Sequence, residues 1–194
     1  MQHLIVATRN AHKTREIQRI LGADFTVSDL SAYPETSETV ESGKTFEENA
    51  VLKATAASRQ LPGLVVADDS GLEVDALGGA PGIYSARYAA PNATDKQNID
   101  KLLSELARIE RAKRSARFRC VIALAREGKL LGAFEGVVEG MIVDSPRGRS
   151  GFGYDPVFMP RGFGKTFGQL SPSEKDRVSH RARAIEKLRL RLSS

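Results

Sequence analysis

The sequence predicts an α/β fold with a central mixed β-sheet flanked by helices, arranged as two lobes around an active-site cleft. Two short apolar runs, residues 4–7 and 64–67, are typical of strands buried on both faces. Segments with helix start and stop signals follow or separate these runs. Two further apolar segments, residues 118–125 and 130–138, are joined through residues 127–129 and predict an antiparallel hairpin. The hairpin is what makes the predicted sheet mixed.

The first two helices are predicted from local signals in the sequence. The first helix is expected over residues 12–21, because Gly22 is suited to end it. Thr45 and Glu48 have the spacing of a capping box, which predicts a second helix from Thr45 to about Leu61.

The later elements follow from similar signals. Thr94 and Gln97 predict another capping box and a helix that ends near residue 108. Residues 171–174 combine an N-cap serine, a proline at the first helical position and a glutamate, which begins a single final helix to Leu192. Two Gly-rich stretches, residues 78–92 and 145–153, predict ordered loops.

Length and composition describe an ordinary globular domain. The chain has 194 residues, of which 41% are hydrophobic and 27% charged, a balance that excludes intrinsic disorder. The single cysteine, Cys120, excludes an internal disulfide and a metal site built from several cysteines. No targeting segment or membrane-spanning run is visible, so we expect a cytoplasmic protein with no membrane partner. Because no linker divides the chain, we predict a single domain over residues 1–194.

The formal net charge is +5, which favours an anionic partner of some kind. Two basic stretches contribute much of it, residues 108–119 and 181–191. Nucleic-acid binding prefers stacking aromatics between the basic residues, and these stretches contain only Phe118. We therefore interpret them as a solvated helix face and an exposed connector, and expect no nucleic-acid partner. A non-enzymatic nucleic-acid binder remains the weaker alternative.

Two lysines lie on helix faces that should be buried. Lys13 aligns with Ile17 and Ile20 on the first predicted helix, and Lys53 lies seven residues after Phe46 on the second. Lysines on such faces usually extend the ammonium group to solvent. Two of them near strand ends or helix N-termini favour a site for an anion. Thr8 and Asn10 support this, because they lie where a strand leads into a helix N-terminus that can attract phosphate.

Two adjacent carboxylates follow the second predicted strand. Asp68 and Asp69 would repel each other unless a cation compensates them, and Mg²⁺ would do so with few protein ligands. Glu41, or an acidic residue at 47–48, could add another carboxylate. The structural alternative is an Asx turn. Lysines and carboxylates together indicate metal-assisted phosphoryl or nucleotidyl hydrolysis.

Six segments, in order along the chain, carry a family resemblance. They are Thr8-x-Asn10-x-x-Lys13, Thr45-Phe46-x-Glu48-Asn49-Ala50-x-x-Lys53-Ala54, Ala67-Asp68-Asp69-Ser70-Gly71-Leu72, the run from Leu77 to Tyr88, Gly151-Phe152-Gly153-Tyr154-Asp155-Pro156, and Ser179-His180-Arg181. Together they resemble the inosine triphosphate pyrophosphatases, also called dITP/XTP pyrophosphatases, over essentially the full chain.

The resemblance implies an enzyme that cleanses the nucleotide pool. It would hydrolyse ITP, dITP and XTP to the nucleoside monophosphate and pyrophosphate, with Mg²⁺ as cofactor and as a homodimer. Asp69 would be the general base and a metal ligand, Glu41 a second metal ligand, and Ser70 a substrate contact. The triphosphate would be bound by Thr8, Arg9, Asn10, Ala11, His12, Lys13 and Lys53. The purine would be surrounded by Phe152, Gly153, Tyr154, Asp155, Lys175, His180 and Arg181.

The sequence departs from the family pattern at two positions of the phosphate-binding run. Arg9 stands where glycine is frequent, and His12 stands where glycine or another small residue is frequent. Neither change removes a side chain of the motif. A related pyrophosphatase acting on modified pyrimidine triphosphates remains the nearest alternative function.

Overall fold

The computed structural model describes residues 2–37 and 39–193. Its strands are β1 (Gln2–Val6), β2 (Phe25–Asp29), β3 (Leu64–Val74), β4 (Ser115–Arg126), β5 (Lys129–Ile142) and β6 (Phe158–Pro160). They form one six-stranded sheet in the order β2-β1-β3-β4-β5-β6. β1 is parallel to β2 and β3, whereas β5 is antiparallel to β6, which confirms the predicted mixed sheet.

Among the described residues, five α-helices accompany the strands and complete the predicted α/β class. They are α1 (Ala11–Leu21), α2 (Phe46–Ser58), α3 (Asp95–Glu105), α4 (Pro172–Val178) and α5 (His180–Leu192). No helix among the described residues is both long enough and apolar enough to cross a membrane.

The predicted helix starts are largely confirmed. The Asn10 side chain caps α1, and Gly22 ends it with a φ of 75°. Thr94 and Gln97 form the predicted capping box of α3. At α2 only half of the predicted box is present. The Thr45 hydroxyl accepts the Glu48 N–H at 3.1 Å, but the Glu48 carboxylate accepts the N–H of Lys44 instead of that of Thr45.

The predicted hairpin is present as β4 and β5, joined by a two-residue loop. Glu127 and Gly128 both have positive φ, at 52° and 76°, which is the geometry of a type I′ turn. At the turn, the backbone N–H of Gly128 also donates a hydrogen bond to the Ser58 hydroxyl at 3.0 Å.

Four details of the predicted fold are wrong. α2 and α3 end three residues early, at Ser58 and Glu105. The single C-terminal helix is two helices, because Ser179 has extended backbone with ψ of 159°. β3 continues to Val74 instead of ending at residue 67. β2 and β6 were not predicted, since β2 contains no continuous apolar run and β6 has only three residues.

The chain divides into two compact units, which agrees with the prediction of two lobes; the predicted cleft stays a prediction. The first unit takes its residues from 1–69, 120–136 and 180–194, and the second from 70–119 and 137–179. The core of the first unit contains Leu4, Val6, Ile17, Leu21, Val66, Ile122, Leu124, Ile185 and Leu188. The core of the second contains Leu72, Val74, Leu102, Leu106, Val138, Ile142, Phe158 and Phe167.

Candidate active site

The two adjacent carboxylates lie in the middle of β3, not after its end as predicted. Asp68 and Asp69 are buried, with 3% and 6% of their surface exposed. Consecutive residues of a strand point their side chains to opposite faces of the sheet. The two carboxylates therefore face different surroundings, and those surroundings give them different chemistry.

Asp68 is held by cations and a thiol. Arg181 donates to both of its oxygens, from Nε at 3.0 Å and from Nη2 at 3.4 Å, and Lys13 forms a second ion pair with it. The Cys120 thiol donates to Asp68 Oδ2 at 2.9 Å. Burial works to raise the pKa of Asp68, but Arg181 and Lys13 outweigh burial and hold that pKa well below its usual range. Asp68 is consequently a fixed negative charge.

Arg181 is itself buried, with 1% of its surface exposed. Besides Asp68, its guanidinium forms an ion pair with Glu16 of α1. Burial would lower the pKa of Arg181, but the two carboxylates raise it further above its usual range. The resemblance implied that Arg181 lies beside the purine, whereas the structure places its guanidinium between Asp68 and Glu16, where it joins α5, β3 and α1.

Asp69 meets a second set of partners, provided by α2 and the segment before it. Lys53 Nζ lies 2.9 Å from Asp69 Oδ1 and 2.9 Å from Glu41 Oε1. The amide of Asn49 donates to the other oxygen, Asp69 Oδ2, at 3.2 Å. Burial raises the pKa of Asp69, and Glu41 adds to the rise, while Lys53 and Lys13 partly oppose it. A carboxylate whose pKa is raised is better suited to accept a proton near neutral pH.

Charge in this cluster is nearly balanced. Burial would lower the pKa of Lys53, but Asp69 and Glu41 outweigh it and raise the pKa, so the lysine is charged. The cluster contains three cationic side chains, Lys13, Lys53 and Arg181, and four carboxylates, Glu16, Glu41, Asp68 and Asp69. The two lysines thus have partners of opposite charge, and a polyanion would need further positive charge to be held strongly here.

Glu41 and Asp69 fit the donor set that Mg²⁺ prefers. Mg²⁺ is usually bound by one or two carboxylates and takes its other ligands from water and substrate phosphates. Both carboxylates converge on one ammonium group, Lys53 Nζ, which shows that a cation is accommodated between them. Across residues 2–37 and 39–193, no group of three or more His, Cys, Asp or Glu side chains is arranged to hold a metal.

The predicted phosphate-binding run lies at the start of α1. Thr8 is half-buried, and residues 9–12 are exposed. Asn10 Oδ1 accepts the N–H groups of His12 and Lys13 at 2.9 and 3.4 Å, and the Asn10 N–H donates to the Thr8 hydroxyl at 3.1 Å. The turn between β1 and α1 is therefore fixed by its own side chains, with its exposed residues facing solvent.

Arg9 stands where the resemblance makes glycine the frequent residue, and its side chain bonds three backbone carbonyl groups. Its guanidinium donates to the carbonyl oxygens of Leu30, Pro34 and Thr36 at 3.1, 3.5 and 3.0 Å. The bulky side chain thus fastens residues 30–36 to the turn that precedes α1.

The predicted purine-binding residues between 152 and 175 are close together in the second unit. Lys175 Nζ donates to Asp155 Oδ2 at 2.6 Å and lies 5.0 Å from the centre of the Phe152 ring. The same Asp155 oxygen accepts the Phe152 N–H at 2.9 Å. Gly151 is required here, because a Cβ at that position would lie 1.9 Å from Asp155 Oδ2.

The remaining predicted residues are placed individually. Tyr154 belongs to the core of the second unit, and its hydroxyl donates to the Ser85 carbonyl at 2.9 Å. Gly153 donates its N–H to Asp95 at 2.7 Å. Ser70 is half-buried in β3, directly after Asp69. His180 is buried at the first position of α5, in the first unit.

Three residues of the cluster were not assigned to it from the sequence. Asn49 follows Phe46 by three residues and so shares the predicted buried face of α2, where its polarity is the only signal in the sequence. Glu16 shows no such signal, because a charged residue on a helix usually faces solvent, and only the structure reveals its burial on α1. A lone cysteine in an apolar strand is expected to be a small core residue, and Cys120 is buried but also donates to Asp68.

Several basic residues in the stretch at 108–119 are paired with carboxylates. Arg114 is 8% exposed and donates to Asp144 at 3.0 Å, which contradicts the predicted exposed connector at that residue. Arg117 forms ion pairs with Glu73, Asp75 and Glu139 at 3.6, 2.7 and 3.2 Å. These arginines therefore act within the fold of the second unit.

Comparison with known proteins agrees with the observed fold. The sequence model of the Ham1 family matches residues 4–190. A dITP/XTP pyrophosphatase of Shouchella clausii is 49% identical over 189 residues, covering 97% of this chain and 96% of that protein. The Ham1 protein of Staphylococcus aureus is 43% identical, with a TM-score of 0.86 and coverage of 99% and 98%. A HAM1 protein from Coxiella burnetii is 40% identical, with a TM-score of 0.88 and coverage of 100% and 99%.

Proposed function

Because the chain belongs to the Ham1 family, we propose that it is a nucleoside-triphosphate pyrophosphatase acting on non-standard purine nucleotides. The products would be the nucleoside monophosphate and pyrophosphate. One observation carries the proposal: Asp69, a buried carboxylate with a raised pKa, lies beside Glu41 and Lys53 in a chain whose relatives are named for this activity. That combination suits the attack of water on a triphosphate.

Asp69 would act as the general base. It would take a proton from a water molecule as the water oxygen forms a bond to the α-phosphorus. The bond between the α-phosphorus and the bridging oxygen to the β-phosphate would break, and pyrophosphate would leave with the bonding electrons. Lys13 and Lys53 would contribute fixed positive charge near the phosphates.

Mg²⁺ is proposed as the cofactor, held by Glu41 and Asp69. When bound, it would neutralise phosphate charge that the two lysines cannot neutralise alone, since both are already paired with carboxylates. This near balance of charge in the cluster is the main support for a divalent cation.

Selectivity is proposed to depend on the 6-position of the purine. Hypoxanthine and xanthine present an acceptor, the 6-keto oxygen, whereas adenine presents an amino donor. Lys175 carries only donors on its side chain and is fixed by Asp155 next to the Phe152 ring. A site of donors leaves groups unpaired when adenine binds, which can reduce kcat/KM by several powers of ten.

A nucleotide panel tests the proposal. ITP, dITP, XTP, ATP, GTP and modified pyrimidine triphosphates are incubated with the protein with and without Mg²⁺, and pyrophosphate is measured separately from inorganic phosphate. We expect pyrophosphate release from the three non-standard purines, dependent on Mg²⁺, and strong loss of turnover in Asp69→Asn. Reaction in ¹⁸O-water should label the monophosphate, because attack is at the α-phosphorus.

Three results would contradict the proposal at different points. Release of inorganic phosphate in place of pyrophosphate would exclude the reaction. Preference for a modified pyrimidine would favour the nearest alternative. Near-normal turnover by Asp69→Asn would rule out Asp69 as the general base but would not contradict the proposed reaction.

A homodimer, which the family resemblance implies, and a cytoplasmic location, which was expected independently of it, remain predictions. Sedimentation velocity of the purified chain over a range of concentrations tests the first, and fractionation of the producing cell tests the second.

A further inference from the structure

Asn49 is the feature of the site that the proposed chemistry does not use. It lies inside α2 with no surface exposed, although asparagine is a poor helix former and costly to bury. Both ends of its amide are bonded. Nδ2 donates to Asp69 Oδ2 at 3.2 Å, and Oδ1 accepts the N–H of Gly43 at 2.9 Å.

The partners fix the orientation of the amide. A backbone N–H can only donate, so the atom facing Gly43 is the amide oxygen, and an ionised carboxylate can only accept, so the atom facing Asp69 is the amide nitrogen. Asn49 therefore connects Asp69 to the segment that carries Glu41. The connection is tight, because a Cβ at Gly43 would lie 2.7 Å from Asn49 Oδ1.

Lys53 connects Asp69 to the same segment one helical turn later, through Glu41. Residues four apart on a helix lie on the same face, and Lys53 bonds Asp69 Oδ1 and Glu41 Oε1. Each oxygen of Asp69 thus has one donor from α2, Lys53 on Oδ1 and Asn49 on Oδ2. A carboxylate oxygen has two lone pairs, so each keeps one for water or another ligand.

We propose that Asn49 is a positioning residue for the reaction. It fixes the rotation of the Asp69 carboxylate and holds the Glu41 segment at a set distance from it. This inference depends on the proposed function, because Asp69 and Glu41 matter only if they act on the triphosphate. Misplacing a reacting group by about 1 Å can cost about 100-fold in rate.

Two substitutions separate the possible causes of an effect. Asn49→Asp keeps the shape and an acceptor for Gly43 but removes the donor to Asp69. Asn49→Ala removes both bonds and adds no charge. Asn98→Ala is the matched control, because Asn98 is also a buried helical asparagine, 3% exposed, with both ends of its amide bonded. Its Nδ2 donates to the Ala86 carbonyl at 3.2 Å, and its Oδ1 accepts the N–H of Ala89 at 2.8 Å.

The experiment measures kcat and KM with ITP and Mg²⁺, urea denaturation, and exchange of the Gly43 amide proton by NMR. We expect both Asn49 variants to lose about 10- to 100-fold in kcat with KM within about threefold. The Gly43 amide should stay protected in Asn49→Asp and lose protection in Asn49→Ala. Asn98→Ala should lose stability and keep kcat within about twofold.

The outcomes distinguish this inference from the proposed function. If wild type releases no pyrophosphate from any nucleotide, the proposed function fails, whereas the Gly43 exchange still tests the Asn49 contact. If wild type is active and either Asn49 variant keeps kcat within about threefold, the inference is wrong. It is also wrong if neither Asn49 variant folds while Asn98→Ala does, because Asn49 is then a folding residue.

Discussion

Replacing Arg181 by methionine should mainly destabilise the fold. Methionine has similar length and good helix propensity, so the substitution removes the guanidinium with little other change in α5. The structure places that guanidinium between Asp68 and Glu16 with 1% exposure. Its removal leaves two buried carboxylates without their shared cation.

The expected magnitude follows from the burial of the pair. Removing one partner of a buried ion pair costs about 3–5 kcal/mol, because the remaining charge stays buried. Lys13 remains beside Asp68, so we expect the lower end, about 3 kcal/mol. For a chain of this length that corresponds to a fall in Tm of about 6–12 °C.

Urea denaturation followed by circular dichroism measures the loss of free energy of unfolding. Arg189→Met is the matched control, because Arg189 lies on the same helix but forms an exposed ion pair. Its Nη2 lies 3.6 Å from Asp24 Oδ2, and the two side chains are 47% and 79% exposed. Such a surface pair contributes about 0–1 kcal/mol. If Arg181→Met and Arg189→Met were equally stable, the structural role of Arg181 would be refuted.

Three further predictions follow from single contacts. Asp68→Asn should make the free energy of unfolding depend less on pH in the acid range. The folded pKa of Asp68 lies below its usual 3.8, so the stability that its charge contributes is present above pH 3.8 and is lost as the pH falls through the folded pKa. An unchanged acid dependence of the free energy of unfolding would contradict this. Gly136→Ala should cost about 1–3 kcal/mol by thermal denaturation, since its Cβ would lie 2.0 Å from the His180 carbonyl oxygen, whereas Gly164→Ala, in open space, should be neutral. Cys120 is fully buried, and burial, with Asp68, raises its pKa, so a thiol reagent should label it only after unfolding in urea; rapid labelling of the folded chain would argue against that burial.

Local signals explain why much of the fold could be predicted. A capping box such as Thr94 with Gln97 lies within four residues, and its hydrogen bonds form in the structure as expected. The turn at Glu127 and Gly128 is similarly local. The break at Ser179 is different, because the sequence around it has helical periodicity, and no local signal marks the extended residue between α4 and α5.

The candidate site could be predicted only at the level of residue types. Acidic and basic residues near strand ends indicated the chemistry, but not which charge pairs with which. Arg181 and Asp68 are 113 positions apart, and no local pattern connects them. For the same reason Glu16 could not be recognised as the second partner of Arg181, since a charge on a helix face usually points to solvent.

The contrast between Asp68 and Asp69 follows from strand geometry and needs no difference in residue type. Alternation along β3 turns one carboxylate toward Arg181 and the other toward Lys53 and Asn49. The two environments move the pKa values in opposite directions, lowered for Asp68 and raised for Asp69. A neighbouring pair whose pKa values are separated in this way can divide its tasks. Asp68 holds Lys13 and Arg181, and under the proposed function this would leave Asp69 to accept the proton.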